Sequence, residues 1–297
     1  WEDVANYYGA LYHSFNYRDN TYTINLKSGK PGTQTKVVSV VPSVPGVKLR
    51  NEVMASAKNG NDAWIYGGPE AATLLIQGTI PANRSSFAVK GAIHHPDACF
   101  RAELEKRLKG KGITLDKQKI EDGERHALFT LVSPFLKDIV YYTNKNSINL
   151  FAEALGELIS PTDYARTVKA ELSGMGIDSC GITLKDASGL SPANAVPAEV
   201  FTDLLIWAKG HLSDVFVASL PQGNVDWGLR IYSDHPILRG NILAKTGSMS
   251  GVRALAGYLK TQRGETLAFT ILVNNYVGDP VKVQEIIRDL LKEFADK

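Results

Sequence analysis

The C-terminal stretch constrains the fold of this chain more than any other. Ile242-Leu243-Ala244-Lys245, Arg253 to Lys260 and Thr266 to Asn274 read as three consecutive strands. Val283, Ile286, Ile287, Leu290, Leu291 and Phe294 then recur at helical spacing. Consecutive strands closed by an amphipathic helix predict an antiparallel sheet with helices packed on it.

Upstream, the texture differs. From about His126 helices dominate, with one apolar stripe at Ile148, Phe151, Leu155 and Leu158. A second runs through Val168 and Leu172, and a third through Val200, Leu204 and Trp207 after Pro197. Residues 21–92 instead carry strand-like runs at 21–26, 36–41 and 73–80, punctuated by Gly, Pro and Asn. A helix is predicted over about 96–109, opened by Pro96 and marked by Phe100, Leu104 and Leu108. The polar stretch Lys111 to Arg125 follows as a return towards another domain. The predicted division is therefore 1–125, strand-rich over about 20–92, and 126–297.

At 297 residues and 44% hydrophobic content, the chain can bury more than one core. It has no run of about 18 apolar residues, hence no transmembrane helix. Trp1-Glu2-Asp3-Val4 lacks an initiator Met and a signal-peptide layout, as a processed or truncated piece would. A net charge of +2, with both signs interspersed, offers no field for nucleic acid. The basic run Lys106 to Lys111 sits at a helix end, where cations complement the dipole. Cys99 and Cys180 are too few for a disulfide scaffold. His94-His95 has no third ligand at metal spacing and reads as the approach to a helix. No metal or organic cofactor is expected.

Two short elements carry chemistry. Lys245-Thr246-Gly247, with Ser248 after it, places an ammonium, two hydroxyls and a side-chain-free position at the end of a strand. An open strand edge pairs with an extended peptide, Lys holds a carboxylate, and the hydroxyls direct hydrogen bonds. A peptide with a free C-terminus fits those groups; a Gly turn with an exposed Lys is the plainer reading. Ser147-Ile148-Asn149 begins a helical stripe. Ser147 reads either as a helix N-cap or as a hydroxyl that relays a proton, with Asn149 holding a substrate carbonyl. The chain contains no Ser-x-x-Lys, since Ser86 to Lys90 and Ser133 to Lys137 are one residue too long.

The two elements occur in the order used by serine penicillin-recognising enzymes. With Asp186-Ala187-Ser188-Gly189-Leu190-Ser191, Asn194, Gly251-Val252, Ala256 to Leu259, Val273-Asn274-Asn275, Tyr7 to Ala10 and Asn16 to Thr21, the chain resembles penicillin-binding D-Ala-D-Ala carboxypeptidases/endopeptidases of low molecular mass, class C. The resemblance covers nearly the whole chain.

It implies an α/β (α+β) fold: a transpeptidase/β-lactamase-like domain over 126–297, plus inserted strand-rich accessory domains before it. It further implies a serine DD-peptidase of the periplasm or another extracytoplasmic space. Peptidoglycan stem peptides would be its substrates and β-lactams its inhibitors. Ser147, Asn149 and Lys245 would be catalytic, and Thr246, Gly247 and Ser248 would bind substrate. The nucleophile would lie outside this chain, upstream of the insertions. Asp3 would contact a cationic substrate group or be an ordinary surface acid, and Arg253 would face the cleft or flank a strand. Two alternatives remain open, a non-catalytic peptidoglycan-binding relative and a β-lactamase. Against the latter, the Glu-x-x-Leu-Asn loop that a class A β-lactamase needs is missing after Ser147.

Overall fold

The computed structural model describes residues 3–115, 127, 129–212 and 214–296. The chain divides into two units, Trp1–Leu131 and Val132–Lys297. The boundary read at Arg125/His126 lies outside the described residues.

In the first unit, β1 (Thr21–Lys27) is the centre of an antiparallel sheet between β2 (Lys36–Val41) and the later β8 (Phe87–Ala92). Its sequence alternates as a half-buried strand must, with Tyr22, Ile24 and Leu26 inside. A second sheet runs β3 (Lys48–Asn51), β6 (Thr73–Gln77), β5 (Trp64–Tyr66), and β4 (Met54–Ser56) pairs in parallel with β7 (Thr79–Pro81). Ile65, Leu74, Ile76 and Ile80 join the β1 residues in one core. The Asn6 side chain acts as an extra strand residue: its amide donates to Ile65 O (3.1 Å) and its oxygen accepts from Ile65 N (3.0 Å). Helix α1 (Pro96–Gly110) starts directly after His95 and buries Pro96 and Cys99.

The second unit is built on β9 (Ile242–Met249), β10 (Val252–Lys260) and β11 (Thr266–Asn274), antiparallel in the order β11-β10-β9. Before them come α2 (Leu136–Asn146), α3 (Asn149–Ile159), α4 (Tyr164–Gly174), α5 (Ala198–His211), α6 (Asp214–Ser219) and α7 (Arg230–Ser233). After them comes α8 (Pro280–Ala295). Alternation along the strands splits the sheet between two cores. Ile242, Ala244, Leu255 and Leu259 pack with α8, while Leu243, Ala256 and Tyr258 pack with Leu205 of α5 and Phe216 of α6. The buried Tyr258 hydroxyl donates to Leu205 O at 2.6 Å, so this aromatic ring is buried without stranding its polar end.

Helix α8 is set by its start. Pro280 occupies the first turn and Asp279 Oδ1 accepts from Val281 N at 2.8 Å. Ile287, Leu291 and Ala295 then fall on one buried face, whereas Ile286, Leu290 and Phe294 remain exposed. The apolar stripe read from the sequence is thus wider than the face that the sheet covers. In α3 the same holds: Leu150 and Gly156 are buried and Leu158 is exposed.

Among the described residues, no helix is long and apolar enough to cross a membrane, and no three His, Cys, Asp or Glu side chains group to hold a metal ion.

Candidate active site

Ser147 lies between two helices. It follows α2 with φ 54° and ψ 50°, a left-handed conformation, and its N–H bonds Thr143 O. The N-cap of α3 is Ile148, so the capping role weighed for Ser147 does not hold. The left-handed turn ends one helix and starts the next, and it presents an exposed Ser147. Such a conformation costs an L-residue about 1–2 kcal/mol, and a Gly would adopt it more easily. Asn149 is the first residue of α3 and is half-buried.

The end of α2 is anchored. Lys145 Nζ donates to Leu220 O (2.7 Å) and to Asp226 Oδ2 (3.0 Å), and Asn144 Nδ2 donates to Ser219 Oγ (2.8 Å). Asp226 Oδ2 also accepts from Gln222 N (2.6 Å). Lys145 and Asp226 retain only 13% and 22% of their side-chain exposure, so this pair is screened far less than a surface pair.

Lys245 comes from the opposite direction, in the middle of β9. The strand does not finish at the triplet, because pairing with β10 continues to Met249 opposite Val252. Lys245 Nζ donates to Ser147 Oγ at 2.8 Å and to Thr246 O at 2.7 Å. Burial pushes its pKa below the ordinary lysine value. By accepting from Lys245, the Ser147 oxygen leaves its own proton free to be directed elsewhere.

The outer edge of β9 is half covered. Gly223 N donates to Ile242 O (2.9 Å) and Ala244 N donates to Pro221 O (2.9 Å). Antiparallel alternation carries the outward-facing backbone positions on to Thr246 and Ser248. A short 3-10 turn, Trp227–Leu229, packs near Thr246, where a Cβ on Gly228 would sit 3.7 Å from Thr246 Oγ1. Gly247 lies opposite Ala254, and Ser248 is exposed opposite Arg253. Arg253 Nη1 donates to Met249 O (3.2 Å) and Val252 O (2.9 Å), bracketing the β9–β10 turn.

The Asp186 to Ser191 segment is a self-bonded turn. Asp186 accepts from Gly189 N, Ser191 N and Asn194 Nδ2, while Asn194 Oδ1 accepts from Lys185 N. It docks on α3 through Glu153, which accepts from Ser188 N at 2.9 Å, and through Gly156. A Cβ on Gly156 would lie 2.6 Å from Ala187 Cβ, so only Gly permits this approach. Asp3 belongs to the first unit, where its carboxylate accepts the Tyr8 hydroxyl at 2.6 Å.

The structure thus joins Ser147 directly to Lys245, places Asn149 one residue beyond the turn, and sets Thr246 to Ser248 along the same strand. Lys145, Asp226, Glu153 and Gly156 support this arrangement and carry no motif of their own.

A profile of the D-Ala-D-Ala carboxypeptidase 3 (S13) family matches residues 1–297. The chain belongs to this family. Among curated relatives, a D-alanyl-D-alanine carboxypeptidase of Actinomadura sp. is 28% identical over 87% of this chain and 54% of its own length. The D-alanyl-D-alanine carboxypeptidase DacB of Haemophilus influenzae is 28% identical over 94% of this chain and 62% of its own length. This S13 chain therefore spans a little over half the length of these relatives. The crystal structure of penicillin binding protein 4 (dacB) from Haemophilus influenzae covers the whole chain with a TM-score of 0.80, at 24% identity and using 71% of its own length. The same protein complexed with a β-lactam covers 95% of the chain and 70% of its own length, with a TM-score of 0.75 at 25% identity. The fold is that of the penicillin-binding, transpeptidase-like proteins, a mixed α and β architecture with an antiparallel sheet and packed helices.

Proposed function

We propose that this chain forms the greater part of a serine DD-peptidase that acts on peptidoglycan stem peptides outside the cytoplasm. The observation that carries the reading is the 2.8 Å bond from Lys245 Nζ to Ser147 Oγ, which unites two motifs at one point of the second unit. Membership of the S13 family and the relatives named D-alanyl-D-alanine carboxypeptidase support it.

In this reading the open part of β9 receives the substrate as an added strand. Lys245 supplies the positive field for the C-terminal carboxylate, and the Thr246 and Ser248 hydroxyls hydrogen-bond it. Gly247 leaves room for the ligand backbone, and Asn149 holds a peptide carbonyl. The nucleophile is a serine outside the 297 residues. Its oxygen bonds to the penultimate D-Ala carbonyl carbon, and an oxyanion hole fed in part by the Ser248 N–H stabilises the charge that develops. The C–N bond breaks and the amine leaves with a proton handed on through Ser147. Water then hydrolyses the acyl-enzyme and restores the serine. β-Lactams, one of which is bound in the Haemophilus influenzae structure, are the matching inhibitors.

Binding alone tests the carboxylate arm. The chain is titrated with N,N′-diacetyl-Lys-D-Ala-D-Ala and with the same peptide amidated at its C-terminus, using NMR shifts of β9 amides. The free acid is expected to bind about tenfold or more tightly than the amide, as loss of one charge-assisted contact implies. Equal affinity, or shifts that bypass residues 245–248, would remove Lys245-Thr246-Gly247 from the carboxylate site.

A further inference from the structure

The first unit contains a cleft that the proposed reaction does not use. It has a volume of about 370 Å³ and forms where Pro31, the turn Ser56–Asn59 and the segment Pro81–Arg84 meet. That volume falls within the range of small-molecule sites.

The walls are fixed by hydrogen bonds. Ser28 Oγ donates to Pro81 O (2.7 Å) and accepts from Arg84 N (2.9 Å). Asn83 N donates to Gly29 O (2.8 Å), and Ala82 N donates to Ser56 O (2.9 Å). On the facing wall, Ser56 Oγ accepts from Lys58 N at 3.1 Å. The cleft is therefore a preformed shape between strand ends.

Its chemistry is one-sided. Lys58 and Arg84 both line it, and among the described residues no acidic one does. Arg84 Nη2 donates to Asn59 Oδ1 at 3.1 Å, which orients the guanidinium without neutralising it. Among the described residues, neither cation pairs with a carboxylate. Two exposed cations without a carboxylate partner, lining one cleft, favour an anion, and the planar fork of Arg suits a carboxylate. The amides of Asn59 and Asn83 add donors and acceptors for hydroxyl or acetamido groups. Pro31 and Pro81 add small apolar surfaces beside them.

We propose that this cleft is a second ligand site that binds a carboxylate-bearing, N-acetylated sugar, the chemistry of a muramyl unit whose lactyl carboxylate carries no stem peptide and so keeps its charge. The choice of a sugar rests on the peptidoglycan reading of the second unit; the preference for an anion stands on the cleft alone. A site of this kind holds peptide-free stretches of the glycan independently of the peptide cleft.

The test uses the full 297-residue chain and isothermal titration with four probes: N-acetylmuramic acid, N-acetylglucosamine, acetate and inorganic phosphate. N-Acetylmuramic acid is expected to bind about tenfold or more tightly than each of the others, and Lys58→Ala and Arg84→Ala each to weaken it about tenfold. Both variants are expected to bind the diacetyl tripeptide as the parent does. Equal binding of N-acetylglucosamine shows that charge is not read, and equal or tighter binding of acetate or phosphate shows that the sugar is not read. Either result overturns the proposal, as does no binding at all or binding that survives both substitutions. Should Arg84→Ala lower the melting temperature, Lys58→Ala alone decides, since its exposed side chain supports no wall. Loss of the sugar arm with tripeptide binding intact refutes this site and leaves the proposed function standing. Loss of tripeptide binding with the sugar arm intact does the reverse.

Discussion

Lys245 Nζ donates a 2.8 Å hydrogen bond to Ser147 Oγ across 98 positions of sequence. The bond connects a β-strand to the left-handed turn between two helices, so it reports whether both elements are in place. It also assigns Ser147 a cost, since a Gly at φ 54° avoids the strain that Ser accepts. A residue kept in such a conformation at a candidate site is a functional hypothesis with an observable outlier behind it.

The first prediction follows from that outlier. Ser147→Gly is expected to unfold no earlier than the parent, because relief of strain offsets the lost hydrogen bond. Ser147→Ala keeps the strain and is expected to be about 1 kcal/mol less stable than the Gly variant. In the enzyme carrying its nucleophile, both should lose roughly 10²-fold or more in turnover of a D-Ala-D-Ala peptide, the scale of a proton-transfer group. Urea melts and steady-state rates measured on the same preparations check this. Undiminished turnover in Ser147→Gly would remove the hydroxyl from the mechanism.

A second prediction concerns the anchor of α2. Lys145 and Asp226 are both largely buried, and each also satisfies backbone groups. Asp226→Asn is expected to destabilise the chain by about 2 kcal/mol, as loss of a hydrogen-bonded, poorly screened charge implies. With Lys145→Met added, the further loss should be smaller than for Lys145→Met alone, giving a coupling energy of about 1 kcal/mol or more. Additive losses in the double-variant cycle would show that the pair does not act as a unit.

The contrast between these residues explains what was legible in the sequence. Lys245-Thr246-Gly247 and Ser147-x-Asn149 stand out because each gathers chemically apt side chains within three positions, and their neighbours β9 and α3 follow from strong periodicity. Lys145 and Asp226 lie 81 positions apart, and nothing local marks either as the partner of the other. Glu153 and Gly156 are equally silent, since an acid and a Gly on a helix have many ordinary explanations. The width of apolar stripes misleads for a related reason. Ile286, Leu290 and Phe294 have helical spacing, but the face that is buried depends on where the sheet lies. The N-cap reading of Ser147 fails because a polar residue before an apolar stripe looks alike whether it caps one helix or links two.

A third prediction reverses sign with its background. In a helix, Gly→Ala usually gains about 1 kcal/mol. At Gly156 the new methyl meets Ala187 Cβ at 2.6 Å, an overlap that forces the Asp186 to Ser191 turn off α3. Gly156→Ala is therefore expected to destabilise by about 1–3 kcal/mol. In an Ala187→Gly background the same substitution should be neutral or stabilising. Thermal unfolding of the four proteins decides, and destabilisation of equal size in both backgrounds would mean that the contact is not the cause.

The last prediction turns on a buried titratable group in the first unit. His94 is 6% exposed, and among the described residues neither ring nitrogen has a hydrogen-bond partner. Burial is the main cause that lowers its pKa below the ordinary histidine value, and repulsion from His95 and His13 adds to it against the weaker attraction of Glu70. A basic group whose folded pKa is lowered binds its proton more readily in the unfolded chain. Stability therefore rises with pH between the lowered value and the ordinary value near 6.5, and is lost as pH falls through that window. His13, whose pKa is also lowered by burial, pulls in the same direction. The parent is expected to lose unfolding free energy between about pH 7 and about pH 5, while His94→Leu, which has no ring to protonate, loses measurably less. Urea melts across that range give the comparison, and their difference isolates His94 from carboxylates that titrate lower. Parallel losses in parent and variant would show that His94 takes no part in the acid response, and would direct attention to His13.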